Sequence, residues 1–545
     1  MPAPDQPRRW VIAGLILLVV AVYWPASEFD FVRWDDPVNV TENQLITEPW
    51  SWPLVTKLLN GDTALRFKPL TWLIYRGMHA GFGFHPAAWH GLSLLLHLGA
   101  VLLFRAVLRL LLARFRPQTP LVGLEVAALL GAAAWAVHPA RAEPACWVTA
   151  TPYPLIAICL LGSFWFYSQA MNAAAGPARR RDWVLSWLLA LLGYTAYPVG
   201  VTYGLWLVAA DLWIFRVAPN PRDGLRAMGP WLARHAAFFL PAIASMAVTW
   251  ASSSTTPWLY PAPPSLAQVD LLMRLKMSAA MLTSIWSHLV WPFGLTPNNP
   301  MLTAERSGAP FLLLLAAGAI LLLGAVWLLR VRRPALAGAV LGSTLLALPV
   351  LGPAQWPSWT VADRHVYLPH LVLTAVLVIW LVPRSPDSRR LRLLALGGFM
   401  LVALLAVLGR RQVMIWRNTD TLFTYIEAQP AFAWNAHQQA YVYLLWGAHA
   451  QEHGHREAAA NRFNQARQAL QAGLLAAAER GALDEAVDLS AHLEQTFGLP
   501  PVLRRERVRW LQTLQRPREA EADLLQLSRE TAPATIPEPS GSKPR

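Results

Sequence analysis

Long apolar runs alternate with short polar segments along the first three quarters of the chain. Most of the runs approach the ~20 residues that an α-helix needs to cross the hydrocarbon core of a bilayer. The pattern therefore predicts an all-α, polytopic membrane protein with about eleven transmembrane helices. The predicted spans lie near residues 10–24, 88–112, 122–138, 152–171, 183–197, 198–216, 236–251, 311–330, 335–351, 367–383 and 393–410.

Arginine groups follow every second apolar run, beginning with Arg8 and Arg9 before the first. Lys and Arg concentrate in cytoplasmic loops, so this bias predicts a multi-pass protein with a cytoplasmic N-terminus. The first run resembles a signal peptide but lacks a convincing cleavage site, and we predict an uncleaved span. Residues 25–86 and 252–310 then form periplasmic segments. The apolar stretch 271–292 either lies in or on the membrane without crossing, or hides two short crossings.

The composition changes after residue 410, where Ala, Glu, Gln and Arg replace the apolar runs. Residues 1–410 are predicted to form the membrane domain, and 411–530 about three tetratricopeptide-like helix hairpins. An odd number of spans places these repeats in the periplasm. Residues 531–545 have the composition of a disordered tail. The repeat spacing is carried by Trp446-Gly447, Gly454, Ala459, Phe463 and Ala466, and is echoed by Gly481 with Ala486 and Gln515 with Ala520.

The overall composition agrees with a membrane protein: 55% of the residues are hydrophobic and 14% are charged. The formal net charge is +14, but the arginines follow the predicted topology rather than forming one basic face. Membrane lipids are therefore the expected surroundings, and nucleic-acid binding is not supported.

An acidic pair, Asp35-Asp36, lies directly after the first predicted span, beside Arg33 and between aromatic residues. Charged groups at such a place are costly to keep, which suggests a function. A carboxylate at the membrane surface can act as the base that takes a proton from an attacking hydroxyl. We hypothesise that Asp35 or Asp36 is the base of a membrane glycosyltransferase. The sequence leaves open which of the two it is.

Transfer of a sugar from a lipid phosphate also requires cations, because the leaving phosphate is anionic. On the predicted periplasmic side the chain offers Lys68, Arg141 and Arg364. Glu143 supplies a further carboxylate in the short loop that begins at His138. The alternatives are a solvated turn with a local Arg–Glu pair for this loop, and snorkelling to the interface for Arg364.

His90 and His97 are seven residues apart and so share one face of the second span. Two histidines without a third ligand at suitable spacing favour a polar seam inside the helix bundle over a metal site. We therefore predict no metal and no cofactor.

Taken together, these motifs resemble those of the transmembrane and tetratricopeptide-repeat protein O-mannosyltransferases and their bacterial relatives, which are GT-C glycosyltransferases. No single motif is specific, but their order and spacing are. The matching stretches are Asp35-Asp36; Lys68-Pro69-Leu70-Thr71; His85-Pro86, Trp89-His90 and His97; His138-Pro139 with Glu143; Asp363-Arg364 with Tyr367-Leu368-Pro369; and Trp416-Arg417-Asn418 with Leu422-Phe423, Pro430 and Asn435-Ala436-His437.

The resemblance implies an inverting transferase that moves a sugar, often mannose, from a polyprenyl phosphate to Ser or Thr of an exported protein. Its bacterial members imply a location in the bacterial inner (cytoplasmic) membrane. One carboxylate of Asp35-Asp36 would be the base, Glu143 would assist, and Arg364 would face the phosphate. The matched positions His90, His138 and Tyr367 would line the substrate site with Arg141 and Lys68. The repeats would bind the acceptor polypeptide or a partner protein.

Two other interpretations remain open at this point. The first is a GT-C enzyme with a lipid or glycan as its acceptor. The second is a non-catalytic membrane scaffold, or a transporter, that displays a peptide-binding repeat module. A transporter would more often show internal repeats and helices broken near the middle of the membrane. A scaffold would not need the acidic pair.

Overall fold

The computed structural model describes residues 9–60, 67–217, 224–253, 271–297, 334–351, 362–384, 387–430, 432 and 435–531. All regular elements within these ranges are helical, which confirms the predicted all-α class. The α-helices are α1 Arg9–Tyr23, α2 Gln44–Thr47, α3 Trp52–Asn60, α4 Pro69–Phe82, α5 Pro86–Phe115, α6 Leu121–Ala136, α7 Ala142–Cys146, α8 Pro152–Asn172, α9 Pro177–Ala196, α10 Tyr203–Ala210, α11 Gly224–Ser253, α12 Leu271–Ser287, α13 Pro334–Ala347, α14 Tyr367–Leu381, α15 Ser388–Met414, α16 Thr419–Glu427, α17 Ala436–Glu452, α18 Arg456–Glu479, α19 Leu483–Phe497, α20 Pro501–Thr513 and α21 Pro517–Thr531.

Seven helical segments in the described ranges are long and apolar enough to cross a membrane. An eighth is formed if the pair Leu121–Ala136 and Pro139–Cys146, bent by 67°, counts as one span. The predicted spans at 183–197 and 335–351 fall on the helices α9 and α13, and neither helix is among these candidates. The predicted span at 311–330 lies outside the described residues. The seven segments are Trp10–Glu28, Pro86–Phe115, Val148–Asn172, Pro198–Phe215, Met228–Thr249, Asp363–Leu381 and Ser388–Met414.

The C-terminal ends of the first and last spans lie side by side. Arg410, near the end of α15, donates a hydrogen bond of 2.7 Å from Nη1 to the carbonyl of Ala21, near the end of α1. The segments that follow the two spans also meet, because the Asp30 N–H donates to the Arg417 carbonyl at 3.0 Å. The odd number of crossings stays a prediction.

The last span packs closely against the end of α6 through Gly409. A Cβ atom built on Gly409 would lie 2.3 Å from the carbonyl oxygen of Val137, which is backbone and cannot rotate away. Small residues allow such close approach of helices inside membranes. By contrast, a Cβ atom on Gly397 of the same helix would meet no atom within 4 Å.

These two glycines make a matched test of helix packing. Gly409→Ala is expected to destabilise the protein by about 1–3 kcal/mol, the usual cost of overpacking. Gly397→Ala is expected to leave stability unchanged or to raise it slightly, because alanine has the better helix propensity. Thermal unfolding of both variants in detergent measures the difference. Equal melting temperatures would contradict the close contact at Val137.

The aromatic first loop contains the short helix α3, which begins at Trp52. It buries Leu54 and Leu58 while Trp50 and Trp52 remain exposed, so this short helix is amphipathic. In the segment 252–310, the described helix is α12, Leu271–Ser287. The His370 ring lies 2.7 Å, through Nε2, from the Ile285 carbonyl of this helix.

The chain divides into two compact units after Ile426. The first unit extends beyond the predicted boundary at residue 410 for two reasons. The helix α15 continues to Met414, and α16 buries Leu422 and Phe423 within the same unit. The predicted tail, 531–545, lies outside the described residues apart from Thr531.

The second unit consists of helix hairpins. Successive helices are joined by short turns in which Gly454 and Gly481 adopt positive φ angles of 79° and 74°. Gly447 lies against the ring of Phe463, and both residues belong to the predicted repeat pattern. Hairpins of this kind are what that pattern requires, and their assignment as tetratricopeptide repeats stays a prediction. The buried core of the hairpins includes Ala466, Leu470, Leu474, Ala486, Leu489 and Leu493.

Candidate active site

The segment that follows the first span alternates between buried and partly exposed side chains. Phe29, Val32 and Trp34 are buried, whereas Arg33 and Asp35 are only partly covered. The alternation places the two adjacent aspartates in different surroundings, because Asp36 is fully buried and Asp35 is not. The two carboxyl groups of the acidic pair therefore do not act as a single unit.

Asp36 joins the first loop to the start of the span formed by Val148–Asn172. One of its carboxylate oxygens accepts hydrogen bonds from the backbone N–H of Thr149 (3.1 Å) and from its hydroxyl (2.6 Å). The other oxygen accepts from the N–H of Val32 at 2.9 Å. Both oxygens are thus occupied by protein donors, which is the arrangement of an anchor rather than of a group that meets substrate.

Burial raises the pKa of Asp36 to about 7 despite these three hydrogen bonds, which favour the ionised form. Its pKa in the unfolded chain is about 3.9. Between these values the folded protein holds a proton that the unfolded chain has released, so stability falls as the pH rises from about 4 to about 7. The full effect is of the order of 4 kcal/mol.

The Asp36→Asn variant tests this linkage. Wild-type protein is expected to lose thermal stability between pH 5 and pH 7.5. The melting temperature of the variant is expected to lack this decrease with pH, because asparagine does not titrate. The measurement is the melting temperature of both proteins across the pH range. Parallel curves would show that Asp36 does not titrate in this window.

Glu143 and Arg364 form a buried ion pair that joins two segments distant in sequence. Arg364 donates from Nη1 to one carboxylate oxygen of Glu143 at 2.5 Å and from its backbone N–H to the other at 3.1 Å. Glu143 is fully buried, whereas the side chain of Arg364 keeps 17% of its surface exposed. The guanidinium also lies 5.3 Å from the centre of the Trp147 ring.

Asp35 lies close enough to this ion pair to interact electrostatically with both Glu143 and Arg364. Its backbone is held in place by Asn39, which donates to the Asp35 carbonyl from its amide side chain (3.1 Å) and from its own N–H (2.9 Å). Lys68 in turn donates to the Asn39 side-chain oxygen at 2.8 Å. The structure therefore brings Asp35, Glu143 and Arg364 together, and Lys68 is connected to them through Asn39. Their role in catalysis stays a prediction.

Arg141 and His138 lie deeper than the predicted role of substrate binding suggests. Arg141 is fully buried; its Nη2 lies 2.7 Å from the ring nitrogen Nδ1 of His370, and Nη1 donates to the Val366 carbonyl at 3.4 Å. The His138 ring accepts the N–H of Ala140 at 3.2 Å, which caps the turn that carries Arg141. Both residues support the loop of Glu143, and their contact with substrate stays a prediction.

His90 and Tyr367 also belong to the buried interior. The His90 ring nitrogens lie 2.7 Å from the carbonyl of Cys146 and 3.4 Å from that of Asp30. The Tyr367 hydroxyl lies 2.8 Å from Nδ1 of His97. His90 and His97 thus form the polar seam that their spacing predicts, and His90 holds the first loop against the turn after Glu143.

Three further residues contribute to the site although they were not predicted from the sequence. Asp363 is buried, accepts the N–H of Thr296 at 3.2 Å and interacts electrostatically with Glu143. Trp147 contacts Arg364, and Thr149 holds Asp36. Asp363 is adjacent to Arg364 in the matched motif, so that motif was a signal for it. Thr149 lies in a stretch that carries no signal.

The arrangement can assist a substitution that releases an anion. A partly exposed carboxylate can take a proton, and a partly exposed guanidinium can hold the charge that develops on the leaving group. The groups lie near the ends of candidate spans: Asp35 follows the first, Glu143 lies in the second helix of the bent pair, and Arg364 begins the span Asp363–Leu381. The candidate site therefore lies at the ends of helices that are long and apolar enough to cross a membrane.

Sequence comparison finds similarity to protein O-mannosyl-transferases. The chain is 29% identical over 238 residues to the protein O-mannosyl-transferase Tmtc3 of Drosophila melanogaster, covering 38% of this chain and 25% of that protein. It is 29% identical over 199 residues to the protein O-mannosyl-transferase TMTC4 of Homo sapiens, covering 34% and 27%. The chain thus spans about a quarter of the length of these relatives. The resemblance read from the motifs is confirmed.

Two other comparisons concern protein-family models and solved structures. No protein-family model matches the chain. Among solved structures, the chain is similar to ArnT from Cupriavidus metallidurans bound to undecaprenyl phosphate, with a TM-score of 0.37 and 14% identity over 90% of this chain and 81% of that one.

Proposed function

We propose that this protein is a membrane glycosyltransferase that moves mannose from a polyprenyl phosphate to Ser or Thr hydroxyls of exported proteins, with inversion. The observation that carries the proposal is the partly exposed Asp35 beside the Glu143–Arg364 ion pair at the end of the spans. The similarity to protein O-mannosyl-transferases supports the sugar and the acceptor class.

In the proposed reaction the acceptor hydroxyl attacks the anomeric carbon of the sugar on the face opposite the lipid phosphate. The hydroxyl proton goes to the Asp35 carboxylate as the new C–O bond forms. The bond between the anomeric carbon and the phosphate oxygen breaks, and its electron pair leaves with the polyprenyl phosphate. A single displacement of this kind inverts the anomeric configuration.

Arg364 would stabilise the departing phosphate, because a guanidinium binds phosphate oxygens in a charge-assisted geometry. Glu143 would assist by holding the guanidinium in place, since it is buried and pairs with Arg364 at two points. Lys68, which is linked to the Asp35 backbone through Asn39, would add positive charge near the base. Asp36 would position the loop and take no part in proton transfer.

The helix hairpins of the second unit would bind the acceptor polypeptide or recruit a partner protein, as stacked helical repeats commonly do. A non-catalytic scaffold explains the site less well. A buried ion pair such as Glu143–Arg364 is expensive to desolvate, and replacement by apolar residues is often neutral or stabilising. The presence of the pair beside Asp35 at the ends of the spans therefore favours a function that uses its charge.

The test uses membranes that contain the full-length protein, supplied with polyprenyl phosphate carrying radiolabelled mannose. Label that moves to protein, and is released by β-elimination, supports O-linked transfer to Ser or Thr. Label that moves to a lipid or a glycan instead would overturn the acceptor class. Absence of transfer from mannose and from a panel of other lipid-linked sugars, with the protein folded, would overturn the enzymatic proposal.

A further inference from the structure

A cavity of about 240 Å³ lies between the ends of the first and last spans. The residues that line it differ from those of the site around Asp35, because its wall contains neither Glu143 nor Arg364. The wall joins two arginines, one carboxylate and exposed apolar groups. Its lining residues are Trp24, Pro25, Glu28, Phe29, Arg410, Met414 and Arg417.

The arginines at this cavity lie on the periplasmic side, where the predicted topology places the fewest Lys and Arg residues. The arginine bias of the loops places the ends of both spans on the periplasmic side, where Lys and Arg are depleted. Nevertheless Arg410, Arg411 and Arg417 follow one another within a short stretch. Topology therefore does not account for these arginines, and an anionic ligand would.

The side-chain contacts of the two arginines that line the cavity differ. Arg410 donates to the carbonyls of Ala21 and Val22, at 2.7 and 3.4 Å, and so caps the first span. Arg417 is exposed, and no side chain in the described part of the structure pairs with its guanidinium. Arg417 is therefore available to a ligand without the loss of an existing contact.

The remaining wall fits the interfacial part of a lipid. Trp24 keeps 58% of its surface exposed and Met414 keeps 39%. Tryptophan concentrates at the level of the headgroups, where its ring meets both apolar chains and polar groups. The exposed carboxylate of Glu28, on the same wall, can accept hydrogen bonds from a cationic group.

We propose that this cavity binds the headgroup of a membrane phospholipid that carries both a phosphate and a primary ammonium, such as phosphatidylethanolamine. Arg417 and Arg410 hold the phosphate, Glu28 holds the ammonium, and Trp24 and Met414 contact the glycerol and the first part of the acyl chains. This lipid is a structural ligand at the joint between the first and last spans, distinct from the sugar donor.

The experiment measures lipid binding to the purified full-length protein by native mass spectrometry. Phosphatidylethanolamine, phosphatidylglycerol and phosphatidylcholine with identical acyl chains are added in turn. Wild-type protein is expected to retain phosphatidylethanolamine best. Arg417→Gln is expected to weaken this binding about fivefold, the effect of one arginine near a lipid phosphate, and Arg417→Lys is expected to restore most of it. Glu28→Gln is expected to abolish the preference over phosphatidylglycerol.

The control is Arg389→Gln, which removes an exposed arginine from the opposite end of the same helix α15 and is expected to change nothing. Each variant is first checked for an unchanged melting temperature. Equal binding by wild type and Arg417→Gln would overturn the proposal. Displacement of the phospholipid by equimolar polyprenyl phosphate would reassign the cavity to the donor lipid, and displacement by inorganic phosphate would reassign it to a free anion.

Discussion

Replacing Asp35 by asparagine is expected to reduce sugar transfer by about 10²–10⁴-fold, the usual contribution of a general base. The reason is that asparagine keeps the size and the hydrogen-bonding shape of the side chain but cannot take a proton. The protein is expected to keep its melting temperature, because the Asp35 side chain is partly exposed and the backbone contacts with Asn39 remain. The measurements are initial rates of transfer and thermal unfolding in parallel.

Two further variants make the result specific to Asp35. Asp30→Asn changes an exposed aspartate of the same loop and is expected to leave transfer unchanged. Asp36→Asn should lower transfer together with thermal stability, since it removes the hydrogen bond from the N–H of Val32. Unchanged transfer in Asp35→Asn would remove this residue from the role of base. Loss of transfer in Asp36→Asn at full stability would assign that role to Asp36.

Replacing Arg364 by leucine is expected to destabilise the protein by about 3–5 kcal/mol, because it leaves the fully buried carboxylate of Glu143 without its partner. Transfer is expected to disappear as well, since the proposed ligand of the leaving phosphate is lost. Arg364→Lys keeps the charge but cannot reproduce the planar guanidinium. It should retain most of the stability and bind the donor less tightly, which a raised KM for the lipid-linked sugar would reveal.

The double variant Glu143→Gln with Arg364→Leu separates stability from activity. Removal of both charges together is expected to recover much of the stability lost in Arg364→Leu, because no unpaired buried charge remains. Transfer should stay absent. If the double variant regained transfer, the ion pair would be structural and another group would stabilise the phosphate. If Arg364→Leu were as stable as wild type, Glu143 would have another partner when Arg364 is removed.

The sequence determined the class of this protein and the approximate positions of its helices. Apolar runs of membrane-spanning length form helices because a backbone in lipid must satisfy its own hydrogen bonds. This constraint is local, so it can be read from consecutive residues such as 88–112, which lie within α5. The motifs likewise identified Asp35, Glu143, Arg364 and Lys68, which the fold brings together.

Tertiary structure alone decided which member of each motif faces the site. Asp35 and Asp36 are chemically identical neighbours, and the loop's packing against Thr149 buries one and leaves the other partly exposed. Arg141 and Arg364 carry equal charge, yet Arg141 is enclosed by His370 and aromatic rings. Burial and pairing depend on residues distant in the chain, over 200 positions apart for Glu143 and Arg364. The burial and the pairing of these side chains therefore cannot be read from a pattern of neighbouring residues.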